Sequence, residues 1–360
     1  MKAHRPTLQQ IADQAGMSRS GVSRALRNHP GIPASTRERV KKIARELGYY
    51  PNPMISALMA SLRGNVEADG SSVIAYLTGH SPRETWMRLP ATRQNFIGAR
   101  HRASELGFRL EEFSVAEPGM TGERITRILH TRTIRGLILA PMASPDFELS
   151  LDWNLFAVSA IGYTVAREGL HRVRTNHFQG MTLALQQLKA LGYRRPGLFL
   201  TENLDLRVSH RWAAAFVYFQ QSELKAPQRV PMMLEGIEME RAAFHDWFSC
   251  HRPDVVLSLG DLPYDWLREA NFRIPEDVGY ATLSHPGGTS PLSGVNQQSQ
   301  GVGALAVDLV SEQLYRNEFG LHRQPKIVVI DGKWVPGETV RRVEPVRVAQ
   351  RNAARRPCGG

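Results

Sequence analysis

Between Ala15 and Val40 the chain reads AGMSRSGVSRALRNHPGIPASTRERV, with arginines and small hydroxyls crowded around a few apolar residues. Arginine can donate two parallel hydrogen bonds to a guanine edge, and serine is short enough to approach a base or a phosphate closely. These are groups suited to reading the major groove of DNA, provided that one surface presents them together. The apolar spacing predicts such a surface. Val22, Ala25 and Leu26 form a stripe of helical period, so Arg19, Ser20, Ser23, Arg24 and Arg27 fall on the opposite face. A charge-rich face is more often merely solvated, so the surrounding elements must decide.

Upstream, Leu8, Ile11, Ala12 and Ala15 follow the spacing of an amphipathic helix, and Thr7-x-x-Gln10 is a capping-box pattern at its start. Gly16 is expected to end it, and Ser18 to cap the second helix. Beyond Pro30-Gly31, the residues Val40, Ile43, Ala44 and Leu47 make a third stripe that closes at Gly48. Three short helices with a glycine turn between the first two predict a helix-turn-helix. Next comes YYPNPMISALMASLRGN, where Asn52-Pro53 is a good helix start. A helix from there to about Leu62 is shorter than the roughly 12–15 residues at which an isolated helix holds in water. Met54, Ile55, Leu58, Met59 and Leu62 are also too apolar for a free linker, so this segment needs a partner. That partner is either the rest of the head or a second copy of the segment in a dimer, in which an apolar side chain wedges between minor-groove base steps.

The charge is regional. The 360 residues carry a net +11, of which Met1–Asn65 contributes +8 and Arg341–Gly360 contributes +5, leaving the long middle at −2. Such asymmetry points to a polyanion-binding end. The final RRVEPVRVAQRNAARRPCGG reads as a basic, disordered tail without a leucine heptad. Only Cys250 and Cys358 occur, too few for a disulfide framework or a Cys-rich zinc site, and no apolar run nears the ~18 residues of a membrane span. With no secretory signal at Met1–Ser18, a cytoplasmic protein is expected.

From Ser72 the pattern changes. VIAYLT, GLILAPM, FAVSAIGY, PGLFLT, DVVLSLGD and VGYATLS read as buried parallel strands. Helical patterns fall between them at Phe96–Leu106, Gly122–His130, Phe178–Leu191, Arg207–Gln221 and Val302–Tyr315. This alternation predicts an α/β body, and the number of strands favours two doubly wound parallel sheets with a cleft between them. Enzyme motifs are missing: there is no phosphate loop, no H-E-x-x-H, no G-x-S-x-G and no metal-ligand spacing among the histidines, and no cofactor is expected. Gly287-Gly288 reads as a turn. Trp86, Trp153 and Trp212 could stack on a ligand but fit a core better.

The stretches TLQQIADQAGMSRSGVSRAL, STRERVKKIARELGY and PNPMISALM together resemble the DNA-binding head and hinge of the lactose-repressor (LacI/GalR) family, without a gap from Thr7 to about Leu58. The resemblance implies operator contacts by Ser18, Arg19, Ser20, Ser23, Arg24 and Arg27. It further implies backbone or hinge contacts by Thr7, Thr36 and Asn52, and an intercalating Leu58. Gly21 stands where threonine is usual, Pro33 where a serine cap is usual, and Ile55-Ser56-Ala57 where Ala-Arg is common; these departures bear on which operator is read. The body continues the resemblance through VRTNHFQGMTLALQQLKALGYRRPGLFL and GVNQQSQGVGALAVDLV, as a periplasmic-binding-protein-like effector domain. There it implies ligand contacts at Arg211 or Arg207, at Asp261 and at Gln297. Asn176-His177 replaces a usual Asp-Asn, Ser284-His285 a usual pair of Asp/Asn residues, and Gly260 a common Asn, so Asn176 and His285 are the remaining candidates.

The expected organisation is a helix-turn-helix domain at 1–50, a hinge helix and linker at 51–70, a two-lobed effector-binding and dimerisation domain at 71–343 and a tail at 344–360. The expected protein is a transcription regulator, a repressor, that binds a pseudo-palindromic operator as a homodimer. Its small-molecule effector would be a sugar or a sugar-like, acidic compound. The rivals are a sugar-binding transport component and an enzyme on the same two-lobed scaffold.

Overall fold

The computed structural model describes residues 8–26, 31–47, 73–144, 148–234, 236 and 239–343. The expected capping residue Thr7, the hinge and the basic tail lie outside the described residues. Three helices form the head: α1 (Leu8–Ala15), α2 (Arg19–Leu26) and α3 (Ala34–Glu46). None is long enough to be stable alone, so burial must hold them. Ile11, Ala12, Ala15, Val22, Ala25, Val40 and Ala44 supply it as one buried cluster. Gly16 takes φ +64°, the left-handed backbone that lets α1 stop and α2 start three residues later. The Ser18 hydroxyl accepts from the Gly21 amide at 3.1 Å and caps α2. Arg39 of α3 donates to the Ala15 carbonyl at 3.2 Å, satisfying one of the carbonyls left open at the end of α1.

The body holds two six-stranded sheets. The first is ordered β11-β5-β4-β3-β1-β2 and entirely parallel, from β1 (Val73–Thr78), β2 (Arg109–Ser114), β3 (Gly136–Leu139), β4 (Ala157–Ile161), β5 (His171–Asn176) and β11 (Ile327–Asp331). The second is ordered β12-β10-β9-β8-β6-β7, from β6 (Pro196–Leu200), β7 (Met233–Leu234), β8 (Val255–Ser258), β9 (Gly279–Thr282), β10 (Ser293–Asn296) and β12 (Lys333–Val335). Among the described strands only β12 runs antiparallel, against β10. All six expected strand segments lie in these sheets. Central strands β1, β3, β4, β6, β8 and β9 are buried along their whole length, as continuous apolar runs require between two layers of helices.

The helices are α4 (Thr85–Arg88), α5 (Pro90–Glu105), α6 (Gly122–Thr131), α7 (His177–Leu191), α8 (Glu202–Leu206), α9 (Arg211–Glu223), α10 (Arg241–His251), α11 (Leu262–Glu269) and α12 (Ser299–Arg316). The pattern predicted as one helix over Arg207–Gln221 is broken. Arg207 sits at the end of α8, and α9 starts only at Arg211. The buried Asp205 carboxylate accepts from the Ala213 amide at 3.1 Å and meets the His210 ring at 3.1 Å, so a new helix start is capped where a continuous one was expected. The chain passes between the lobes three times: from β5 into α7, from β10 into α12 and from β11 into β12. In the first lobe α12 crosses α5 backbone to backbone, where glycines at 98 and 303 leave no room for a side-chain carbon.

Candidate functional site

On the head, packing of Val22 and Ala25 leaves Arg19, Ser20 and Arg24 exposed on α2, with Ser23 half-buried between them. Ser18 is exposed as well, though its hydroxyl is already engaged as the cap and lies 3.0 Å from that of Ser20. Thr36 is half-buried near the start of α3. No acidic residue occurs in α2. The result is a short, outward, purely cationic and hydroxylic helix face, suited to a groove walled by phosphates. Thr7, Arg27, Asn52 and Leu58 lie outside the described residues.

In the body, a cavity of about 320 Å³ opens between the lobes at the carboxyl ends of the strands, where a doubly wound sheet leaves its crevice. The first lobe contributes Thr92 and Asn95 of α5, Tyr163 and Thr164 after β4, and Arg174 and Thr175 of β5. From the second lobe come His177, Arg207, Val208, Trp212, Ser284 and the crossing residue Gln297. A wider depression of about 420 Å³ on the outside of α6, lined by Glu123, Arg127 and Asp152, is open and of mixed charge, unlike a built ligand site.

The cleft is basic. The guanidinium carbons of Arg174 and Arg211 stand 4.6 and 5.2 Å from the centroid of the Tyr163 ring. Arg207 reaches across to donate to the Ala143 carbonyl at 3.1 Å, and its own burial lowers its basicity. His177 is buried against Trp212, with ring centroids 4.9 Å apart. Desolvation first, and then the charges of Arg211 and Arg174, push its pKa down to about 3. Burial and then Arg207 also lower His80, whose two ring nitrogens have no partner among the described residues. Both imidazoles are therefore neutral, and the arginines carry the charge.

The expected ligand contacts divide. Arg207 and Gln297 line the cavity, and Arg211 adjoins it through Tyr163. Asn176, Asp261 and His285 lie outside the lining. Asn176 caps α7 and donates to Asp331 at 2.8 Å, tying two lobe crossings together. His285 shapes a loop, accepting from the Gly287 amide at 3.0 Å and facing the Leu292 carbonyl at 3.1 Å, and Gly287 and Gly288 both take positive φ, as a turn does. Asp261 stands at the start of α11 without a capping bond. Trp86 and Trp153 are core, whereas Trp212 is core on one side and cleft wall on the other. Tyr163, Arg174 and His177 escaped the sequence as a group. The alternation in HRVRTN, which sends Val173 and Thr175 inward and Arg172 and Arg174 to the other face, was the signal that could have found Arg174.

A DNA-reading head joined to a two-lobed ligand domain defines a transcription regulator controlled by a small molecule. Residues 7–52 match the family described as bacterial regulatory proteins, lacI family, and residues 185–340 match the periplasmic binding protein-like domain. The chain thus joins a lacI-family DNA-binding head to a periplasmic binding protein-like domain. It is 48% identical over 48 residues, 13% of its length and 14% of the relative's, to the transcriptional repressor CytR of Escherichia coli K12. With the regulator CelR of Thermobifida fusca it shares 26% identity over 145 residues, spanning only 40% of either chain. The ribose operon repressor of Lactococcus lactis is 20% identical over 84% of this chain and 90% of its own. Two solved structures share the fold. A CelR–cellobiose complex has TM-score 0.54 at 21% identity, covering 93% of this chain and all of that one. A lac repressor dimer bound to operator and the anti-inducer ONPF has TM-score 0.53 at 20% identity, covering 93% and 99%. No described helix is long and apolar enough to cross a membrane, and no described cluster of His, Cys, Asp or Glu is arranged to hold a metal ion.

Proposed function

We propose that this protein is a cytoplasmic repressor that binds a pseudo-palindromic operator as a homodimer and is switched by a small molecule held, without turnover, between its lobes. The carrying observation is the acid-free face of α2, with Arg19, Ser20 and Arg24 turned outward from a packed helix-turn-helix core. Two such heads would enter successive major grooves about one helical turn apart. Thr7, Thr36 and Asn52 would hold the backbone, and Leu58 would open the central base step. Ligand closure of the cleft would shift the spacing of the hinges at 51–70, and a coupling of roughly 1–3 kcal/mol is ordinary for such a switch. The CelR–cellobiose complex and the operator-bound lac repressor dimer support this division of labour by their likeness in fold.

Selection of duplexes from a random pool by the full-length protein tests the reading. An inverted repeat should be enriched and should bind at least ~10³-fold tighter than random DNA at physiological salt. Equal binding to enriched and random sequences refutes it.

A further inference from the structure

Among the described residues, the lining of the interlobe cavity contains arginines and no carboxylate. A neighbouring arginine is spent on the backbone. Arg172, on the same face of β5 as Arg174, donates to the carbonyls of Gly162, Val165 and Arg167. Arg174 and Arg211 differ, since the buried Nε of each has no acceptor among the described residues. Arg207, from the other lobe, has one backbone carbonyl across the cleft. The nearby Asp205 cannot serve them, because its carboxylate is taken by the Ala213 amide and His210. Helices α5, α7 and α12 also begin in this lining, at Pro90, His177 and Ser299, and α9 begins beside it at Arg211, which adds the positive ends of helix dipoles.

A neutral polyol needs acceptors for its hydroxyl protons as well as donors for its oxygens. Guanidinium groups supply donors only, while the amides and hydroxyls of the lining can donate as well as accept. An oxyanion accepts from all of them and cancels the repulsion between Arg174 on one lobe and Arg207 on the other. Resting on the reading of the cleft as the effector site, we propose that its ligand is a small organic anion, a carboxylate or phosphate ester of monosaccharide size, gripped between Arg174 and Arg207. Tyr163 and Arg211 position the pair, and Val208, Trp212 and Val302 cover the ligand's apolar side. The anion is the group that draws the lobes together, because each lobe presents it with a cation.

The test uses thermal shift and titration calorimetry on the full chain. Acetate and inorganic phosphate serve as minimal oxyanions, D-gluconate and D-glucose 6-phosphate as the carboxylate and phosphate arms, and D-glucose as the neutral isostere. The expected result is a saturable rise in melting temperature with at least one oxyanion class, and binding of the larger anion at least about tenfold tighter than glucose. Arg174→Gln and Arg207→Gln should each weaken the anion by about tenfold or more. Each should leave the unliganded melting temperature unchanged or higher, since a cation with no counter-charge among the described residues has been removed; an arginine with a purely structural role would lower it. Glucose binding as tightly as the anions, indifference to every anion, or retained affinity in both variants overturns the proposal. DNA retention measured on the same samples separates the two readings: anion binding without effect on DNA refutes the switch alone, and release of DNA by a neutral sugar refutes the anion alone.

Discussion

Gly303→Ala tests the crossing that fixes one wall of the cleft. A β-carbon at 303 would lie 1.9 Å from the Asn95 carbonyl oxygen and 2.9 Å from the Ala99 amide nitrogen. One at 98 would lie 2.0 Å from the Gln300 carbonyl oxygen. Carbon and carbonyl oxygen rest at about 3.3 Å or more, so α5 and α12 must part by roughly 1.4 Å. Backbone atoms cannot rotate aside as a side-chain end can. Ala99, Val302 and Ala306, all buried in this layer, then lose dispersion contact, at about 3 kcal/mol. Alanine's better helix propensity returns about 1 kcal/mol, for a net loss of roughly 2. In a protein of this size that lowers the melting temperature by about 3 °C. The control is Gly301→Ala on the same helix, where the new carbon meets only the Ile330 side chain at 3.6 Å. That change should be neutral, or stabilising by up to ~1 kcal/mol. Urea unfolding and calorimetric melts of the three proteins decide. Asn95, Ser299 and Val302 also line the cavity, so ligand affinity should fall in the first variant only. Indistinguishable stability of the two variants would refute the close crossing and its consequence for the cleft.

Other outcomes are equally concrete. Gln313 offers its carbonyl to the Val158 amide and its amide to the Val158 carbonyl, both at 3.1 Å, where β4 extends past the first residue paired with β5. Gln313→Leu leaves both groups buried and unmatched and should cost about 2–4 kcal/mol in urea unfolding. His177 has a folded pKa of about 3, below its ordinary 6.5, so the unfolded chain binds the proton first and stability is lost as pH falls through the window from 6.5 towards 3. Between pH 6.5 and 5 this amounts to roughly 2 kcal/mol, to which His171, with a pKa of about 4, adds its own share. His177→Gln should show a visibly shallower acid slope, and an identical slope would mean that His177 is protonated without cost. Arg24→Ala should lose about 1–3 kcal/mol on selected DNA and much less on random DNA in a filter-retention assay; equal losses on both would remove Arg24 from base reading.

Much of this architecture was legible because burial on both faces writes a plain signal. VIAYLT and GLILAPM carry strands flanked by helices on either side and can be little else. β5 and β11 were missed for the opposite reason: HRVRTN and IVVID lie toward one edge of the first sheet, where one face is partly open and polar residues alternate or residues remain exposed. β7 and β12 are too short for any period to register. The cleft was harder still. Residue type alone could not distinguish Arg172, consumed by carbonyls, from Arg174, two positions on, which faces the cavity. Nor could it tell that Asn176 and His285 organise backbone. On the head, short helices packed by small apolar residues left the outward face to be read by subtraction.

The threefold passage between lobes also governs how the protein comes off the ribosome. By Asn176 five of the six strands of the first sheet have been synthesised, yet its sixth strand and the helix that covers it arrive only after Gln298, with nearly all of the second lobe in between. The nascent chain therefore carries an unfinished, greasy layer while nearly the whole second lobe is made, and neither lobe can ripen alone. A slow codon or a lesion in the second lobe should reveal itself first as failure of the first.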